Sequence, residues 1–225
     1  VKFERSNILK KITMIFILFI LLLSTFTTAS AAALFNDVDD SLPDKAAYDF
    51  LATKGLIVSN ATSNFGVNKE ITRLEAAELL VEALNIDTAK QFDVLISDFD
   101  RDHPSYPIAA ALVEKGIMSL DGDFAFNRDQ PFSRGEAAVF LVQGFGLTGT
   151  VSKTFQDVLP EYWVSDAIKT LQSHNIISST TDNIFRPLEN VTKGEFVVWL
   201  ARSMEPSIHK VTAPPAQPVP PAKSY

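Results

Sequence analysis

Apolar residues recur along this chain in blocks of two kinds, alternating three times. The first kind places apolar side chains at i, i+4 spacing, as at Ala47 and Leu51 or Ile108 and Leu112, the rhythm of a helix with one buried stripe. It predicts helices over roughly Pro43–Lys54, Pro104–Lys115 and Tyr162–His174. Pro43 and Pro104 suit a first helical turn, and Gly55 and Gly116 suit the stop. A short apolar piece follows each (Leu56-Ile57-Val58, Ile117-Met118, Ile176-Ile177), then a polar loop, then Phe65, Phe126 or Phe185. The second kind of block follows Thr72-Arg73-Leu74-Glu75, Ser133-Arg134-Gly135-Glu136 and Thr192-Lys193-Gly194-Glu195. Each has the form S/T-x-x-E, a capping box in which the hydroxyl accepts from the third helical amide while Glu reaches back to the cap's own amide. Ile71, Phe132 and Val191 precede the caps where a hydrophobic staple would sit, and Leu79-Leu80, Phe140-Leu141 and Trp199-Leu200 carry the helices into a core.

The blocks hold a common register. Asp37, Asp98 and Asp157 are 61 and 59 residues apart, and so are Leu51/Leu112/Leu171, Gly55/Gly116/Asn175, Phe65/Phe126/Phe185 and Glu75/Glu136/Glu195. A period of about 60 residues is one supersecondary unit used three times, each too small to bury a core alone. Residues 34–92, 93–152 and 153–205 are therefore read as three repeats.

Both ends differ in character. Lys2, Arg5, Lys10 and Lys11 flank an apolar run, Ile12 to Leu23, followed by small residues with A-x-A sites at Ala29-Ser30-Ala31 and Ala31-Ala32-Ala33. This reads as a secretory signal peptide over 1–31; the competing assignment, an uncleaved anchor, asks for a longer run of roughly 20 residues. Removing 1–31 changes the formal charge from −7 to about −10. Such a chain is poorly suited to nucleic acid or an anionic membrane surface, both of which need clustered Lys and Arg. An exported chain without cysteine relies on a packed core, which fits a bacterial envelope. Residues 206–225 hold six of the twelve prolines and read as an extended linker or tail, either a loose end or the approach to a missing cargo domain.

The F-x-D-V opening, the helix ending in a Gly-Ile type step, the aromatic and the T/S-R/K-x-E box together resemble the S-layer homology (SLH) domain, in three tandem copies over about residues 34–205. The resemblance implies an all-α, pseudo-threefold, three-lobed bundle of helix-loop-helix repeats. It implies non-covalent anchoring of a secreted protein to the cell wall through an anionic secondary cell-wall polysaccharide, often pyruvylated, held in grooves between repeats. The basic residue of the signature would meet the sugar carboxylate, which maps onto Arg73, Arg134 and Lys193. The chain departs from the pattern in having the first-helix Trp only at Trp163, Leu74 in place of alanine and Asn175 in place of glycine; one or two of the three grooves are expected to work. The alternative is a surface-layer assembly module whose partners are other surface-layer proteins.

Local chemistry supports the sugar reading. A helix start offers unpaired N–H groups and partial positive charge to an anion, and Arg adds charge-assisted, bidentate hydrogen bonds. Gly135 and Gly194, lacking Cβ, would let a ligand approach the backbone. The competing assignment for the three cations is a solvated charge at a helix start. Trp163 is either a sugar-stacking ring or a core anchor, whereas Trp199, in register with Phe140 and Leu79, is core. Thr72, Glu75, Ser133, Glu136, Thr192 and Glu195 are capping residues, and Asp37, Asp98 and Asp157 are expected to cap or brace the turn before the first helix, the alternative being contact with a ligand hydroxyl. Other motifs fail on context. Gly144-Phe145-Gly146-Leu147-Thr148-Gly149 follows a helix instead of a strand. The Asp98-x-Asp100-x-Asp102 run has His103 and Ala109 where a calcium loop needs Gly and Glu. His103, His174 and His209 are scattered, so no metal, cofactor or catalytic residue is assigned and an enzyme is not expected.

Overall fold

Three helices begin where the capping boxes require. In the computed structural model Thr72, Ser133 and Thr192 are extended N-caps with ψ near 160°, and each box is closed in both directions. The amides of Glu75, Glu136 and Glu195 donate to the cap hydroxyls at 3.2 Å, while Oε2 of each Glu accepts from the cap's own amide at 2.9–3.0 Å. The structure describes residues 35–39, 41–42, 44–58, 63–178 and 183–209, all within the unit Ala33–Tyr225. The signal-peptide assignment and residues 210–225 of the tail lie outside the described residues. Among those described there are six α-helices: α1 Lys45–Thr53, α2 Arg73–Ala83, α3 Tyr106–Glu114, α4 Arg134–Phe145, α5 Ser165–Ser173 and α6 Lys193–Met204. None is long and apolar enough to cross a membrane. A 3₁₀ turn, Pro206–His209, follows α6, so the first residues of the expected tail are folded.

The short helices stop as the glycines foretell. The amides of Gly55, Gly116 and Asn175 bond back to Ala52, Val113 and Gln172, and those of Leu56, Ile117 and Ile176 reach the carbonyls of Leu51, Leu112 and Leu171. This paired pattern is the Schellman motif, which needs a left-handed residue at its pivot. Gly55 and Gly116 supply φ of +76° and +68°. Asn175 reaches +55°, a conformation that Asn tolerates better than most side chains.

Helices pack across repeats, not within them. The long helix of each repeat lies on the short helix of the next: α2 on α3, α4 on α5, and α6 back on α1. Each lobe thus combines two repeats, and α6 on α1 closes the ring. A hub of cap segments joins the lobes through isolated bridges Glu70–Thr192, Thr72–Pro131 and Ser133–Asn190. The residues before the caps, Ile71, Phe132 and Val191, are fully buried in it, with Ile71 N–H on the Val191 carbonyl and Val191 N–H on that of Phe132. Phe132 packs edge-on against Phe196 of another repeat, with ring centres 5.9 Å apart. Buried Ala76, Leu80, Phe140, Leu141, Trp199 and Leu200 show that the long helices enter the core as their pattern demands.

The acidic turns are corrected in one respect. Asp37, Asp98 and Asp157 do not brace the turn ahead of the first helix; they reach some 28–30 residues onward and clamp the loop carrying the aromatic. Asp37 accepts from the amides of Phe65, Gly66 and Val67, Asp98 from Phe126 and Asn127, and Asp157 from Phe185 and Arg186. A carboxylate has more acceptor capacity than a hydroxyl, so one Asp can hold two or three successive loop amides. Burial pushes the Asp37 carboxyl up, but the backbone amides outweigh it and leave the group below the usual aspartate value.

A candidate glycan-binding surface between the repeats

Glu75, Glu136 and Glu195 use both carboxylate oxygens. While Oε2 closes the capping box, Oε1 receives the basic residue of the preceding repeat in the ring. Arg73 pairs with Glu136 at 3.3 Å, Arg134 with Glu195, and Lys193 with Glu75 at 2.5 Å. The three cations expected to meet a ligand carboxylate therefore already meet one belonging to the protein. Arg73 is only 7% exposed; its Nε donates to the Phe126 carbonyl at 2.6 Å and Nη2 to that of Ser119 at 2.7 Å. Its guanidinium also lies 5.2 Å from the Phe126 ring centre and 5.3 Å from that of Phe140. Arg134 repeats the arrangement, with Nε on the Phe185 carbonyl and its guanidinium near Phe185 and Trp199. Arg134 Nη2 takes no acceptor among the described residues. Planar guanidinium stacks on rings in a way that ammonium does not, and beside Lys193 one of the two ring positions is Leu79 while the other keeps Phe65.

The helix starts are also closed. The amides of Arg73, Arg134 and Lys193 donate to the carbonyls of Gln130, Glu189 and Lys69, and those of Leu74, Gly135 and Gly194 to Arg128, Pro187 and Val67. No unpaired amide of these first two positions remains for an anion, which corrects the expectation of an open helix terminus. The glycines are explained by the same contacts. A Cβ on Gly135 would stand 3.0 Å from the Pro187 carbonyl oxygen and 3.1 Å from Val164, and one on Gly194 would stand 2.8 Å from the Val67 oxygen. What approaches these glycines is the neighbouring repeat's own loop.

Each cation nevertheless sits in a cleft. The Arg73 cleft, about 400 Å³, is lined by Ser119, Asp121, Asn127, Gln130, Phe132 and Trp163 among others. Trp163 is 71% exposed, so it is no core anchor; Trp199, by contrast, is buried and stacked on Phe185. The Arg134 cleft is larger, about 570 Å³, and includes Asp37, Asp44, Tyr48, Asn68, Glu195 and Arg202. Arg202 is bound there to Asp44 at 2.6 Å, tying α6 to the start of α1. The Lys193 cleft, about 250 Å³, has an apolar floor of Leu56, Ile57, Phe65, Ile71 and Leu79, but Glu75, Glu78 and Glu82 line it against a single lysine. Partial burial and the charge on Glu75 raise the Glu78 carboxyl above its ordinary value. Among the described residues no group of three or more Asp, Glu or His side chains is placed to hold a metal.

Sequence reasoning singled out the three cations but missed their partners. The signal was present: a capping Glu uses one oxygen on its cap, so the second was free for a cation in a neighbouring repeat. The polar lining of the Arg73 cleft (Asp121, Asn127 and Gln130) lies on the loop between the helices, where no periodic pattern marks it.

The family model described as the S-layer homology domain matches residues 34–77, 95–138 and 154–197, together more than half of the chain. Among curated relatives, the surface-layer 125 kDa protein of Lysinibacillus sphaericus is 28% identical over 191 residues, covering 82% of this chain and 16% of its own. The S-layer protein of Bacillus thuringiensis subsp. finitimus is 28% identical over 194 residues, 80% of this chain and 23% of that one. A cellulosome-anchoring protein of Acetivibrio thermocellus is 27% identical over 149 residues, 63% of this chain and 33% of the relative. The chain thus spans less than a quarter of the length of the first two. Matched at all three periods by the family model, and built as a closed ring of three helix-loop-helix units, the chain belongs to the S-layer homology domain family.

Proposed function

We propose that this chain is a non-covalent anchor that holds itself, and whatever is joined to it, on the cell wall by binding secondary wall polysaccharide in its inter-repeat clefts. Membership in the family supports a role for these repeats at the cell surface. The observation that carries the reading is Trp163, a large ring left 71% exposed at a cleft also lined by Asp121, Asn127 and Gln130. An aromatic platform beside short polar side chains suits a sugar ring: the apolar face stacks and the hydroxyls find acceptors and donors.

Charge sorts the clefts. The Arg134 cleft sets two arginines, Arg134 and Arg202, against Asp37, Asp44 and Glu195, and both arginines are already paired with protein carboxylates. The Arg73 cleft receives sugar chiefly through Trp163 and its polar lining, since Arg73 spends three of its nitrogens on protein acceptors. The Lys193 cleft repels an anion, because Glu78 and Glu82 add two carboxylates that no cation in it offsets. Titration calorimetry with wall-polysaccharide fragments, pyruvylated and chemically depyruvylated, tests this. Binding of pyruvylated and depyruvylated fragments alike, weakened at least tenfold in Trp163→Ala, is expected. Equal binding by parent and variant, or none by either, contradicts the reading.

A further inference from the structure

The three clefts are built on one plan, and the Lys193 cleft lacks a part that the other two carry. Arg73 and Arg134 each set a guanidinium on the aromatic of the following repeat, 5.2 Å from the Phe126 ring centre and 4.7 Å from that of Phe185. Each also donates from Nε to that residue's carbonyl. Both rings are fully buried. In the third cleft the cation is Lys193, whose ammonium goes to Glu75. Among the described residues no cation lies over Phe65, and nothing donates to its carbonyl. Phe65 stays partly exposed and lines its cleft, as Phe126 and Phe185 do not line theirs.

The same cleft carries negative charge that its siblings lack. Glu75, Glu78 and Glu82 of α2 line it. Repeat two has Glu136, Val139 and Gln143 at these register positions, and repeat three has Glu195, Val198 and Arg202. The helix does not need the extra carboxylates, since Val139 and Gln143 serve the same scaffold. Lys193 engages Glu75, so Glu78 and Glu82, four residues apart, line the cleft with no cation bound to them among the described residues. Partial burial, and then the charge of Glu75, hold the Glu78 carboxyl above its ordinary value, a cost that an arriving cation offsets. Ring and carboxylates thus share one cavity of about 250 Å³.

We propose that the Lys193 cleft is a docking site for a partner polypeptide, which inserts one arginine side chain over Phe65, the place that Arg73 and Arg134 fill in their own clefts. The guanidinium stacks on the ring, donates to the Phe65 carbonyl and pairs with Glu78 or Glu82, while its aliphatic stem lies on the apolar floor. Charge complementarity names the occupant. An anionic or neutral segment gains nothing from the two carboxylates. A lysine ammonium gains the charge, but neither the planar stack nor the forked N–H groups. Guanidinium is a side chain of polypeptides and not a common group of sugars. The inference stands apart from the glycan reading, which puts sugar in the other clefts, so either can fail alone.

The test is NMR chemical-shift titration of the full chain with the peptide acetyl-Gly-Arg-Gly-amide and with its Lys and citrulline counterparts, citrulline being the uncharged analogue of arginine. The Arg peptide should bind the parent about tenfold more tightly than either counterpart. Two variants, built from residues that the sibling repeats already carry, keep folding out of the result. Glu78→Val with Glu82→Gln installs the pair of repeat two and should weaken Arg-peptide binding about tenfold. Lys193→Arg supplies the missing guanidinium from within the chain and should abolish peptide binding. Equal binding of the Arg and citrulline peptides, undiminished binding by either variant, or no binding by the parent overturns the proposal. Lys peptide or glucosamine binding as tightly as the Arg peptide also overturns it, in favour of a site for amines at large.

Discussion

Arg73→Ala is the sharpest probe of the ring of ion pairs. The substitution leaves the carbonyls of Phe126 and Ser119 and one oxygen of Glu136 without their donor, and empties the space between Phe126 and Phe140. Each hydrogen bond from a charged donor contributes about 1.5–3 kcal/mol, and breaking a buried pair from one side costs about 3–5 kcal/mol. These terms overlap, and the Glu136 side chain retains 31% exposure and hence some hydration. A net loss of about 3–5 kcal/mol is expected, a large part of the 5–15 kcal/mol typical of a domain. Lys193→Ala removes the pseudo-symmetric pair, but there the side chains are 24% and 40% exposed and only one hydrogen bond is lost. That costs about 1 kcal/mol or less. Urea unfolding followed by circular dichroism reads the difference. With a slope of about 2 kcal/mol/M, Arg73→Ala lowers the midpoint by about 2 M and Lys193→Ala by under 0.5 M, with the slope unchanged. Equal shifts for the two variants would refute the claim that burial of the guanidinium decides the stability of this joint.

Further outcomes follow from other contacts. Gly194→Ala places a methyl 2.8 Å from the backbone oxygen of Val67 and should cost about 1–3 kcal/mol by the same unfolding assay, because backbone must move. Asn175→Gly relieves a non-glycine residue at φ +55° and should leave stability unchanged or raise it by up to about 1 kcal/mol, whereas Gly116→Ala, at φ +68°, should lower it by about 1 kcal/mol despite open space around the Cβ. Glu75 loses some charge stability to burial, but Lys193 and the Thr72 amide more than restore it, so its folded pKa lies below that of the unfolded chain. The unfolded chain then binds the proton more readily. The stabilisation is fully present above the ordinary glutamate value and is lost as pH falls through the lower folded value. Glu75→Gln should accordingly flatten the acid limb of a stability–pH profile; an unchanged limb contradicts that assignment.

Helix positions, capping boxes and the threefold register were legible because they depend on local rules: a hydroxyl three residues before Glu, a left-handed stop, an apolar stripe. Trp199 could be assigned to the core from its register with Phe140 and Leu79. The exchange of helices between repeats was not legible, since periodicity marks which face is buried and not which neighbour buries it. For the same reason Arg73 looked free in the sequence. Its partners, Phe126, Ser119 and Glu136, come from the following repeat, 46 to 63 residues away. Gly135 and Gly194 were flagged as places where a ligand approaches the backbone, but the group found close to each is the Pro187 or Val67 carbonyl. For Trp163 the sequence left two assignments open, and exposure removes the core anchor.

Whether this ring of repeats grips a wall polymer is tested most directly by co-sedimentation of the purified protein with sacculi, before and after the secondary polysaccharide is stripped from the peptidoglycan. Depletion of the protein from the supernatant by intact sacculi, and its return to the supernatant with stripped ones, is the predicted result. Equal sedimentation with both would contradict the account.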